Sequence, residues 1–140
     1  MQLLKPSTPP SNWLLNDELP LTEAIDNFIS KIYEPLEDPK VMAMIKLLFA
    51  EGSRAVSLIR RWRDEVIVPH LEEQQKVIDD CVAKGLIRNS VMARYFHLNM
   101  APLLLEVQER LMFGETLTLR DARTIREIHR DLLLDLLAVR

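Results

Sequence analysis

The residues of this chain that could do chemistry are three histidines, a single cysteine and several neighbouring carboxylates. His70, His97 and His129 fall on different expected helices, without the i, i+4 spacing that presents two imidazoles to one metal. Surface or half-buried histidines are the expectation, and no metal site is assigned. Glu72-Glu73 and Asp79-Asp80 are adjacent pairs. Successive helical residues point about 100° apart, so these are solvated faces rather than paired acid–base groups. Glu106 and Glu109 share one side of a helix and can both face inward. Helical di-iron sites use such pairs but also need a Glu-x-x-His element, which is absent. Cys81 reads as a small core residue. In Arg60-Arg61-Trp62-Arg63 the tryptophan belongs to an apolar stripe and Asp64 and Glu65 follow, so the run is a solvated basic edge, not a base-stacking platform. The three glycines are isolated, which rules out a Gly-rich phosphate loop. No cofactor is implied, and a non-enzymatic protein is expected.

Composition narrows the frame. At 140 residues, 48% of them hydrophobic, the chain suits one domain with its own core. Strand-like alternation is missing, so the fold is expected to be all-α, an antiparallel or orthogonal bundle of about five or six helices. Eighteen basic residues against 21 acidic ones give a net charge of −3, a poor footprint for neutralising phosphates. One cysteine allows no internal disulfide, and neither a signal peptide nor a membrane-spanning run is visible. A cytoplasmic protein is the expectation, without a membrane partner.

The elements that must position these residues begin after a Pro-rich tail or linker at residues 1–20. Within it, Trp13, Leu14 and Leu15 either pack back on the domain or are the remainder of a helix leading from an upstream module. Residues 21–140 form the domain. Leu21, Ile25, Phe28, Ile29, Ile32 and Tyr33 make the first amphipathic stripe, with Pro35 near its end. Asp38-Pro39 reads as a helix start. Val41, Met42, Ile45, Leu48 and Phe49 follow, Gly52 interrupts them, and Ser53 is placed to cap the next helix. That helix carries Ala55, Leu58, Ile59, Trp62 and Val66. Beyond Pro69 the apolar positions shift to Leu71, Val77, Ile78, Cys81 and Val82, as an interior proline would cause. Lys84-Gly85 is the stop signal.

Residues 90 to about 113 are expected to form one helix that is apolar on both sides. Val91, Tyr95, Leu98, Pro102, Leu105 and Met112 lie on one, and Phe96, Met100, Leu103, Leu104, Val107 and Leu111 on the other. The last helix opens with the capping-box spacing of Thr118-Leu119-Arg120-Asp121 and carries Ala122, Ile125, Ile128, His129, Leu132, Leu133 and Leu136, with Leu134 on its opposite face. So much apolar surface in a small domain calls for a partner. Prolines 69 and 102 open backbone gaps, and Met42, Phe49, Trp62, Tyr95, Asn99 and Met100 are the candidates to wall a cavity between helices, although most such residues are ordinary core.

Ala50-Glu51, Arg54, Trp62, Val66, Pro69 and the closing Gly85-Leu86-Ile87-Arg88 stand in an order that resembles the C-terminal domain of the TetR (tetracycline-repressor-like) family of transcription regulators. Where many members carry an aromatic-Pro-Glu-Leu after the arginine, this chain has Ala55-Val56-Ser57-Leu58. No counterpart of the family's N-terminal helix-turn-helix precedes Leu21. The resemblance implies an effector-binding domain whose ligand is a small hydrophobic molecule, and DNA contact only through the helix-turn-helix absent from this chain. It also implies a homodimer in which the last two helices form a four-helix bundle with those of the partner. The candidate interface residues are Leu103, Val107, Leu111 and Leu134. The rival reading is a stand-alone helical adaptor that binds another protein and needs neither ligand nor DNA.

Overall fold

A computed structural model describes residues 19–114 and 122–139. These are built from helices alone: α1 (Leu21–Tyr33), a 3-10 turn (Glu34–Glu37), α2 (Pro39–Glu51), α3 (Val56–Trp62), a π-helical turn (Arg63–Ile67), α4 (Val68–Ala83), α5 (Val91–Arg94), a second 3-10 turn (Phe96–Met100), α6 (Ala101–Phe113) and α7 (Ala122–Leu137). The fold is an all-α bundle. Trp13, Leu14, Leu15 and the capping box at residues 118–121 lie outside the described residues.

Each boundary has a local cause. The Asp38 side chain accepts from the Lys40 N–H at 2.9 Å, and Pro39 occupies the first turn, where its missing donor is no loss. Gly52 ends α2, and a Cβ there would lie 2.8 Å from the Leu48 carbonyl oxygen. Ser53 does not cap α3. Residues 52–55 turn through Arg54 N–H to Glu51 O and Ala55 N–H to Gly52 O, and α3 starts from Ala55 without a side-chain cap. Residues 56–83 run on as one helical rod. Its π turn, in which the Val68 N–H reaches back to the Arg63 carbonyl, sits just ahead of Pro69. A wider turn lags the 3.6-residue phase, which accounts for the shift of the apolar stripe. The rod ends in a Schellman motif. Gly85 has φ +74°, its N–H bonds Val82 O, and the Leu86 N–H bonds Cys81 O.

The expected single helix over residues 90–113 is broken instead. Ser90 caps α5, Tyr95 turns out of helical geometry at φ −140° and ψ 75°, and a 3-10 turn leads into α6. The side chain of Gln75 bridges the break: its Oε1 accepts from the Phe96 N–H and its Nε2 donates to Ala93 O, both at 2.8 Å. A side-chain amide thus satisfies backbone groups that a continuous helix would have paired internally. Pro102 then falls in the first turn of α6.

The core lies between α1, α4, α6 and α7. Ile25, Phe28 and Tyr33 of α1 meet Ile78 and Cys81 of α4, Phe96, and Ile125, Leu133 and Leu137 of α7. α1 packs along α7, which also meets α5 and α6. At the closing loop, the Arg88 N–H donates to Leu137 O at 2.8 Å and its guanidinium donates to Asp135 O, tying that loop to the end of α7.

Candidate functional site

Three buried side chains with polar atoms converge on one place. Tyr33 ends the apolar stripe of α1, His129 sits in that of α7, and Asn99 lies in the 3-10 turn before α6; all three are buried. The Asn99 amide nitrogen donates to Phe96 O. Its Oδ1 therefore faces His129 Nε2 at 3.1 Å as an acceptor, so Nε2 carries the proton. Nδ1 is left to accept from the Tyr33 hydroxyl at 2.9 Å. The order of donors is self-consistent from Tyr33 through His129 to Asn99.

Charged groups surround this relay. The Arg126 guanidinium stands 5.3 Å from the Tyr33 ring centroid and donates to Glu37 at 2.8 Å. Arg110 bonds Glu106 Oε1 and Leu36 O, each at 3.0 Å. Glu106 and Glu109 are both buried, on the inward side expected of them. Burial, followed by the Glu106 carboxylate, raises the Tyr33 pKa, while Arg126 opposes it. Burial pushes the His129 imidazole down to about 4. Neither group changes its protonation near neutral pH, so the relay holds three segments together rather than moving protons.

The other candidates for chemistry are quiet. Burial pushes the Cys81 thiol up to about 11, with Asp80 acting the same way and Lys84 against it. Burial lowers the pKa of half-buried His70; Glu73 opposes this and His97 adds to it. Among the described residues no three His, Cys, Asp or Glu side chains are grouped to hold a metal ion, and no helix is long and apolar enough to cross a membrane.

The six cavity candidates do not share one environment. Asn99 is buried in the relay, Met42 and Met100 are half-buried against the core, and Trp62 is half-buried on the α3 rod. Phe49 and Tyr95 are 73% and 59% exposed and face outward. Among the interface candidates, Leu103 and Val107 pack into the chain's own core, while Leu111 and Leu134 are partly buried beside it. The physical reason is register. The inward side of α6 carries Leu103, Glu106, Val107, Glu109 and Arg110, and Glu106 pairs with Arg110. The surface left over is the opposite row, where Leu104, Leu105 and Met112 are exposed; Ile128 of α7 is exposed as well. The excess apolar surface is therefore present on these helices, at neighbouring positions and on the other side.

Sequence reasoning missed the relay because Tyr33 and His129 each fit an apolar stripe, and the polar atoms that satisfy one another are 96 residues apart. The only local signal was a polar side chain recurring at core positions. Comparison with known proteins found no matching family model, no matching curated protein and no matching solved structure.

Proposed function

We propose that this chain is the effector-binding and homodimerisation domain of a TetR-type regulator, acting without catalysis in the cytoplasm. The observation that carries the reading is the exposed row of Leu104, Leu105 and Met112 on α6, with Ile128 exposed on the neighbouring α7. Such a row on a pair of packed helices is suited to a twofold interface, in which each copy offers the same patch. The order of elements before it, from the capped α2 through the proline-interrupted rod to the Gly85 stop and Arg88 clip, supports the same assignment. A small hydrophobic effector would act by binding one pose of the helices better than another.

Sedimentation velocity tests the interface. The wild-type chain should sediment as a dimer and Leu105→Glu as a folded monomer; a wild-type monomer at high concentration would defeat the reading. Thermal unfolding against a panel of small hydrophobic compounds tests the effector, because a ligand that binds only the native state at about 100 times its Kd adds about 2.7 kcal/mol. The adaptor reading draws on a different observation. Phe49 and Tyr95 point outward, as they would on a surface that takes a second protein. A protein that no compound stabilises, yet whose apolar row is covered, would favour it.

A further inference from the structure

Helix α6 inverts the arrangement of an ordinary surface helix. Glu106, Glu109 and Arg110 turn to its inward side, and from Tyr95 to Gly114 no Asp, Glu, Lys or Arg occupies an exposed position. The outward side carries Ala101, Leu104, Leu105, Gln108 and Met112, which at 3.6 residues per turn share an arc of about 100°. Leu104 and Met112 are 57% and 64% exposed. An uncharged face meets an identical copy of itself without the like-charge contacts that a charged patch would incur, and it gives a partner chosen by opposite charge nothing to recognise. A second copy of this chain is therefore the occupant it fits.

Gln108 is the polar exception, and it stands at the centre. Leu104 lies one turn before it and Met112 one turn after it, about 40° to either side around the helix. Among the described residues its amide nitrogen has one hydrogen-bond partner, the Met112 sulfur at 3.8 Å, and a thioether is a weak acceptor. A carboxamide is also the polar group best matched to its own image. It holds a donor and an acceptor, so two of them related by a twofold rotation satisfy each other through a reciprocal pair of N–H···O bonds. A carboxylate or an ammonium group in that position repels its copy. Enclosed in an apolar contact, such a pair fixes the register, because any slip sets the amide against side chains that offer it no partner.

We propose, resting on the homodimer reading, that Gln108 lies on the twofold axis and sets the register of the dimer by pairing with Gln108 of the partner subunit. An axis crossing α6 at right angles reverses the helix, so Leu104 of each copy then meets Met112 of the other.

Charge exchange at this position tests it by sedimentation velocity, at a concentration where the wild-type chain is dimeric. Gln108→Glu and Gln108→Lys should each weaken association about a hundredfold or more, with helical circular dichroism retained, and an equimolar mixture of the two should regain the wild-type dimer. Two variants that stay dimeric while Leu105→Glu is monomeric overturn the pairing and leave the dimer reading intact. So do two monomeric variants that fail to associate on mixing, since residue 108 then faces something other than its own copy. A wild-type chain that is monomeric even at high concentration removes the dimer reading, and the pairing with it. Disulfide trapping is a second measurement. With helix axes about 8–10 Å apart and Cα atoms about 2.3 Å from each axis, Cα atoms that face each other across the contact come within the roughly 4.4–6.8 Å that a disulfide spans. Mild oxidation should therefore link two copies of the Gln108→Cys protein but not of Leu104→Cys, whose two positions lie about 12 Å apart along the helices. Cys81, being buried, does not compete. A dimeric Gln108→Cys protein that fails to cross-link overturns the axis position.

Discussion

The Tyr33 hydroxyl donates to Nδ1 of His129 at 2.9 Å, and the two rings meet edge to face with centroids 5.6 Å apart. This contact joins α1 to α7 inside the core, and Asn99 extends it to the turn that launches α6. In an apolar core a hydrogen bond of this kind adds direction. It fixes the rotation of each helix about its own axis, which interchangeable methyl contacts do not. Under the proposed function, α6 and α7 belong to the dimer. The relay then ties α1 to α7 and to the turn that launches α6.

The neutral state of His129 makes the fold acid-sensitive. Its folded pKa of about 4 lies below the 6.5 of an ordinary imidazole. Between those values the unfolded chain binds more protons than the folded one, so this contribution is complete above pH 6.5 and is lost as the pH falls toward 4. At about 1.4 kcal/mol per pH unit, its size is roughly 3 kcal/mol. Urea unfolding of wild type and His129→Gln at pH 7 and pH 4.5 isolates it from the carboxylates, which titrate in both proteins. Wild type should lose distinctly more stability than the variant on acidification, and parallel losses would remove His129 as the cause.

Asn99 sets the tautomer. Because its Oδ1 is the acceptor, long-range proton–nitrogen NMR should show His129 protonated at Nε2 and bare at Nδ1 near neutral pH. Finding the proton on Nδ1 would reverse the relay. Asn99→Leu removes the acceptor for Nε2–H and the donor for Phe96 O. Stranding the buried Nε2–H of His129 should lower stability by about 1–3 kcal/mol in chemical denaturation. A loss below about 1 kcal/mol would mean that the site relaxes or takes in water.

The bracket formed by Gln75 is equally testable. Gln75→Leu keeps the volume but leaves the Phe96 N–H and Ala93 O to find other partners, so roughly 2–4 kcal/mol should be lost. Gln75→Glu still accepts from Phe96 N–H but offers no donor to Ala93 O or to Asp79, which Gln75 also bonds at 2.8 Å. The expected order of stability is wild type, then Glu, then Leu at neutral pH. A Leu variant as stable as wild type would show that the break at Tyr95 needs no side-chain bridge.

What could be read from the sequence follows the range of the forces involved. Asp38-Pro39, the Gly85 stop and the stripes of α1 and α4 are set by neighbours within a turn or two, and each is where its residues placed it. The break at Tyr95 was not legible, because the amide that stabilises it belongs to Gln75 on another helix. The outward row of α6 was misassigned for a related reason. Both faces of the helix are apolar, and only the bonds that Arg110 donates to Glu106 and to Leu36 O show which one turns inward. Local pattern defines the elements, whereas their rotation depends on polar contacts distant in sequence.

Arg88 gives the loop after α4 a role at the far end of the chain. Its N–H and its guanidinium both donate to carbonyls in the last turn of α7, where helix carbonyls lack internal partners and a cation is favoured. Gly85 aims the loop toward them by adopting φ +74°, and a Cβ there would meet nothing within 4 Å. Gly85→Ala should therefore lose only the strain of a left-handed alanine, about 1–2 kcal/mol, with no steric addition. Arg88→Ala removes the guanidinium but keeps the backbone bond. Its effect should be local, with faster hydrogen exchange over residues 135–139 and little change in α1 or α4. If Arg88→Ala instead lowers protection evenly across the bundle, the guanidinium contributes to the whole core rather than to the end of α7.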